Sequence, residues 1–179
     1  MDKKLENLIA YCQGIYRKEN GIMLYNKYLK EIKSITPDEL MYVQNEQLNM
    51  GMKVDEILPF VDRLINVFYE SLSKYALPAP ITIPFLRYLD EENKGLVRVL
   101  DSFKGTIKAK PLTQNAMLKV FLDKVKKYNQ HLLKLENILF PSLEKEDSRF
   151  VGLKLLWALH DETRALIKKI ESEWSIEGS

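Results

Sequence analysis

The sequence predicts an all-α protein: a helical bundle preceded by an N-terminal helical layer. Three observations predict it. Apolar residues recur close to a 3.6-residue period almost throughout, the period-two alternation of strands is nearly absent, and the breaks between periodic stretches fall at caps, glycines and prolines.

A first helix is expected from about Lys3 to Arg17, ending near Asn20-Gly21, and a short second one from Leu24 to Ile32. Thr36-Pro37-Asp38-Glu39 then supplies an N-cap threonine, a proline at the first helical position and a glutamate three residues after the cap, which is a capping box. That helix stops at Met50-Gly51, where glycine takes a left-handed C-terminal cap. The next begins near Val54 and turns Ile57, Val61, Leu64, Phe68 and Leu72 to one face, with Pro59 tolerable so near its start. Ala76 to Pro84 reads ALPAPITIP, three prolines in nine residues, and is expected to be an extended connector. It divides the chain into an N-terminal helical segment, 1–78, a helical bundle, 79–174, and a fraying polar tail, 175–179.

The bundle opens with a helix from Phe85 to Lys104, striped by Leu89, Leu96, Leu100 and Phe103 and closed by Gly105. A long helix follows from about Thr113 with the stripe Met117, Phe121, Tyr128, Leu135 and Leu139, and Pro141 is expected to end or kink it just after Phe140. The last helix, about Phe150 to Trp174, carries Leu156, Thr163, Ile167, Ile170 and Trp174.

Composition excludes several function classes. The 179 residues carry 27 basic and 25 acidic side chains, well mixed, so the net charge of +2 argues against nucleic acid or an anionic membrane as a partner. The densest basic clusters, Lys104/Lys108/Lys110 and Lys124/Lys126/Lys127, read as solvated faces. No apolar run reaches the ~18 residues that a membrane-spanning helix needs, and the start MDKKLENLIAYC lacks the unbroken apolar stretch of a signal peptide. The single cysteine, Cys12, has no internal disulfide partner and lies on an apolar stretch, as an inert buried thiol would, which fits a cytoplasmic location. With 7 glycines and no phosphate loop, CxxC pair or nucleophile elbow, an enzyme is not the favoured reading. The acidic groups Asp38/Glu39 and Asp90/Glu91/Glu92 read as first-turn or exposed-face charges.

The chain's two histidines lie on apolar stripes. His131 follows Tyr128 by three residues and precedes Leu135 by four, while His160 follows Leu156 by four and precedes Thr163 by three, so both are expected to face inward. A histidine so placed is either a core residue hydrogen-bonded to its neighbours or a metal ligand.

Between His131 and Lys145 stand His131, Glu136-Asn137, Leu139-Phe140-Pro141 and Leu143-Glu144-Lys145, followed by Trp157 and His160-Asp161-Glu162 with Arg164. Upstream are Glu91-Glu92-Asn93 and the stretch TPDELMYVQNEQLNMGMKVDEI. These motifs, in this order, resemble a subgroup of the prokaryotic hemerythrin-like (HHE cation-binding) family that has a helical segment ahead of its bundle; the likeness covers about Thr36 to Lys169. It implies up-and-down helices and a metal site in which His131, His160, Glu136 and Glu92, with Glu144 as a further candidate, are the ligands. Asn93, Tyr128 and Thr163 would then be hydrogen-bond partners behind them.

The chain departs from the family pattern at the ligands. Val61-Asp62-Arg63-Leu64 and Pro84-Phe85-Leu86-Arg87 stand where relatives carry histidines, Leu135 stands where hemerythrins pair their histidine with a glutamate, and Arg164 follows His160. Five residues is about 140° around an α-helix, which puts Glu136 at the edge of the stripe. The family's last bundle helix has no counterpart here, so the N-terminal helices, a second copy of the chain or a partner helix is expected to cover that face. Three readings of the site follow: no metal, with His131 and His160 bonded to Asn93, Thr163 or Tyr128; a single iron or zinc ion on the remaining donors; or a full site assembled between chains. The first two correspond to a sensing or interaction module that kept the bundle and lost the metal, and to a protein acting in oxygen, nitric oxide or iron handling. A redox enzyme such as a peroxidase or an iron-sulfur repair protein would need a full redox centre.

Overall fold

A computed structural model describes residues 2–106, 111–146 and 148–177, and the side chains of these apart from 106, 111–117, 146, 148–149 and 174–177. Lys108 and Lys110, and the side chains of Met117 and Trp174, lie outside the described residues. The described chain is all-α, with no strand, and none of its helices is long and apolar enough to cross a membrane.

The chain forms two compact units, the first built from residues up to Pro78 with Leu143–Leu159, the second from Ala79–Ser142 with residues from His160 onward. Leu143–Leu159, which the sequence reading placed in the bundle, thus belongs with the N-terminal helices.

In the first unit, α1 (Lys3–Tyr16), α2 (Gly21–Lys27), α3 (Leu29–Ile32), α4 (Pro37–Asn49) and α5 (Val54–Ser73) surround a core of Leu8, Tyr11, Cys12, Ile32, Val43 and Phe68. Asn20-Gly21 starts α2 rather than merely ending α1: the Asn20 side chain accepts from the N–H groups of Ile22 and Met23, so the pair works as an N-cap. The capping box is present, with the Glu39 N–H donating to Thr36 Oγ1 at 3.3 Å and the Thr36 N–H to Glu39 Oε2 at 2.9 Å. Gly51 adopts φ 89°, the left-handed cap expected of it. Burial pushes the Cys12 thiol up to about 12, so it stays protonated and inert.

Leu155 joins Ile57 and Val61 in a second cluster of this unit. Beside it, Gly152 donates its N–H to Asn45 Oδ1 at 2.5 Å. A Cβ at 152 would stand 2.7 Å from the same oxygen, so only glycine allows this approach. The chain turns there through a 3₁₀ segment, Ser148–Gly152, before entering α9 (Leu153–Glu177). Nothing before Gly178 breaks α9, so residues 175–177 are helical where a fraying tail was expected.

In the second unit, α6 (Pro84–Thr106) packs against α7 (Pro111–Lys134), and Phe103 stacks on Phe121 with ring centroids 3.9 Å apart. Residues 75–83 are non-helical, as the proline-rich connector predicts. Two residues expected on inward stripes, Leu100 and Ile170, are each 38% exposed, and Thr163 is exposed as well, because a few helices cannot enclose every apolar stripe.

After α7 the backbone widens into a π turn, Leu135–Leu139, and resumes as α8 (Phe140–Glu146). Pro141 explains it. A proline in a continuing helix has no N–H to donate and presses its ring on the carbonyl four residues back, and a wider turn relieves that clash without ending the helix. Side chains serve the acceptors around it, Asn137 Nδ2 donating to the Leu133 carbonyl at 2.9 Å and Ser142 Oγ to that of Ile138 at 2.7 Å.

Candidate functional site

The π turn corrects the expected position of Glu136. A turn that closes from residue i to i+5 brings residues five apart toward one row, where an α-helix would separate them by about 140°. Glu136 is accordingly buried, 6% exposed, rather than at the stripe's edge.

Two histidine clusters result, both within the second unit. His131, on α7, is 2% exposed, and its Nδ1 lies 2.9 Å from Glu92 Oε2 on α6. The other oxygen of Glu92 accepts from Lys134 Nζ at 2.5 Å, and Lys134 also sits 4.5 Å from the centre of the Tyr88 ring. The Tyr128 ring stacks on the His131 imidazole at 4.6 Å, and its hydroxyl donates to Asn93 Oδ1. Burial raises the carboxyl of Glu92, but the hydrogen bonds from Lys134, His131 and Tyr88 outweigh it and hold the group below the usual carboxylate range. Lys134 is raised in turn, chiefly by its bond to Glu92. An ionised Glu92 only accepts, so in the singly protonated ring the proton sits on Nδ1 and the lone pair on Nε2. That Nε2 is buried and has no hydrogen-bond partner.

The second cluster centres on Glu136. His160 Nδ1 approaches Glu136 Oε1 at 2.8 Å, and Arg164 Nη2 donates to both carboxylate oxygens at 2.6 Å. The guanidinium is fixed further by Asn129 Oδ1, 2.9 Å from Nε, and Asp161 Oδ1, 3.0 Å from Nη1. The bond to Glu136 is the main cause that raises Arg164 above its ordinary value. Phe140 stacks over the His160 ring at 5.6 Å.

The residues singled out by sequence are therefore sorted into two sets. His131 pairs with Glu92, and Tyr128 with Asn93, while His160 pairs with Glu136. Neither histidine takes the expected bond to Asn93, Thr163 or Tyr128: a carboxylate reaches each Nδ1 first, and Tyr128 offers His131 its ring face instead. Glu144 is exposed. Asp90 and Glu91 are surface charges that pair with Lys94, whereas Glu92 turns inward from the same run. Sequence reasoning missed Lys134, Tyr88 and Asn129. Tyr88 four residues before Glu92, and Lys134 three after His131, were the available signals.

These donors do not fit a two-metal centre. Both oxygens of Glu92 and both of Glu136 are engaged by protein cations and histidines, and among the described residues no group of three or more histidine, cysteine, aspartate or glutamate side chains is arranged to hold a metal ion. Compared with protein-family models, with curated proteins and with solved structures, the chain matches none.

Proposed function

We propose that the chain is a non-catalytic helical module, used for sensing or for protein interaction, in which two histidine–carboxylate–cation clusters stand where a hemerythrin-like protein holds its metal. The observation that supports this reading is the pairing of the would-be ligands: Lys134 and Arg164 supply to Glu92 and Glu136 the positive charge that a metal would supply. An interaction role is supported by Val97, Leu100, Leu133, Ile138 and Leu166, large apolar side chains exposed on the second unit that a second copy or a partner helix would cover. The buried, unpaired Cys12 suits a cytoplasmic setting. The test is replacement of His131 and His160 together by glutamine: a lost metal centre predicts unchanged metal content, and equilibrium sedimentation reports whether the chain self-associates.

A second reading has one observation in its favour. The Nε2 of His131 is a free, buried imidazole donor. It would be the first ligand of a single iron or zinc ion in a protein of oxygen, nitric oxide or iron handling, completed by donors released from their present pairs. Metal retained through purification and lost on His131→Gln would favour it.

A further inference from the structure

Beside His131, α6 and α7 enclose an open groove of about 290 Å³, near the lower end of the volumes that small-molecule sites occupy. Its α7 wall is a single row, Lys124, Lys127 and Tyr128, then His131, at the three- and four-residue spacings that stack side chains along one helix face. From α6, Leu96 and Val99 make most of the opposite wall apolar, Gly95 leaves it without a side chain at one point, and the Glu92 carboxylate stands at the His131 end, away from Lys124 and Lys127.

Three chemistries therefore meet in order along the groove. At one end are two exposed ammonium groups, in the middle an apolar slot with the Tyr128 ring, and at the other end His131, with its buried and unpartnered Nε2, beside Glu92. In the tautomer with the proton on Nδ1, this nitrogen is an acceptor without a donor, and a ligand hydroxyl or N–H would satisfy it. Lys124 and His131 are seven residues apart, a rise of about 10 Å along the helix, which suits one ring with a polar group at each end. The groove runs along helix interiors, whose N–H groups are bonded within the helices, and it has neither the helix N-terminus nor the arginine fork that commonly holds phosphate.

We propose that this groove binds a small organic carboxylate whose charged end meets Lys124 and Lys127 and whose far end carries a hydroxyl or N–H that donates to His131 Nε2. The proposal goes beyond the function proposed above and holds whether or not the chain docks a partner.

Calorimetry or ligand-observed NMR on the full chain at low salt tests it with 4-hydroxybenzoate, benzoate and 4-hydroxybenzyl alcohol. The first is expected to bind, and the other two, lacking one end each, to bind about tenfold more weakly or less. Lys124→Gln with Lys127→Gln, both at exposed positions, should weaken 4-hydroxybenzoate and flatten its salt dependence. Gly95→Leu should block the groove while the chain stays folded, since a Cβ there meets nothing nearer than Arg98 Nη2 at 3.9 Å and glycine is the weaker helix former. No binding of 4-hydroxybenzoate at millimolar concentration, equal binding of benzoate, or unchanged binding by Gly95→Leu would each overturn the proposal.

Discussion

His131 and His160 each meet a glutamate through Nδ1, yet the two pairs are held differently. Glu136 is 6% exposed and accepts on both oxygens from one guanidinium nitrogen of Arg164, whereas the side chain of Glu92 is 24% exposed and held by the ammonium of Lys134. The Glu136 cluster is a closed arrangement in which each carboxylate oxygen already has a cationic partner. The His131 cluster keeps an unmet nitrogen beside an open groove. The contrast teaches that burial alone does not mark a working histidine.

Substitution of the two glutamates tests this contrast most strongly. Glu136→Gln removes a carboxylate that is 6% exposed and leaves Arg164 only the surface carboxylate of Asp161, and it should cost about 2 to 3 kcal/mol in urea unfolding. Glu92→Gln should cost clearly less, since the Glu92 carboxylate is itself 24% exposed and its pairing is screened by water. Equal losses would erase the distinction between the clusters. The next effect is one of pH. Glu92 ionises below its ordinary range in the folded chain, so its contribution is fully present above the unfolded carboxylate value of about 4.3 and is lost as pH falls through the depressed folded one. Acid titration of stability should therefore be shallower below pH ~4 in Glu92→Gln than in the parent. A slope unchanged by the substitution would remove Glu92 from the acid response. Smaller again, Arg164→Lys keeps the charge and loses the further guanidinium bonds to Asn129 and Asp161, for about 1 kcal/mol. Lys134→Met should give the smallest change in melting temperature of the four, and a larger one than Arg164→Lys would reverse the ranking of the clusters.

Much of the fold was legible because it is written in local chemistry. Thr36 with Glu39, Gly51 and the prolines between Ala76 and Pro84 act over a few residues, and the structure shows each doing what its chemistry requires. The site was legible only in part. Wheel arithmetic turned His131 inward, but it assumed an unbroken α-helix through Glu136, and Pro141, expected to end or kink the helix, instead widens the preceding turn. The proline was visible in the sequence, while the choice between a kink, a stop and a π turn depends on tertiary packing. Arg164 was noticed as a poor neighbour for a metal, and its partner Glu136 became evident only once that turn had moved the carboxylate inward. The assignment of Leu143–Leu159 to the first unit was beyond periodicity too, since it rests on side chains such as Leu155 meeting Ile57 and Val61 from far along the chain.

Elemental analysis of the full chain, purified without chelators from cells supplied with iron and zinc, tests most directly whether Lys134 and Arg164 have taken the place of a metal. Internal pairing predicts less than about a tenth of an equivalent of any transition metal. About one equivalent, lost when His131 or His160 is replaced, would contradict it.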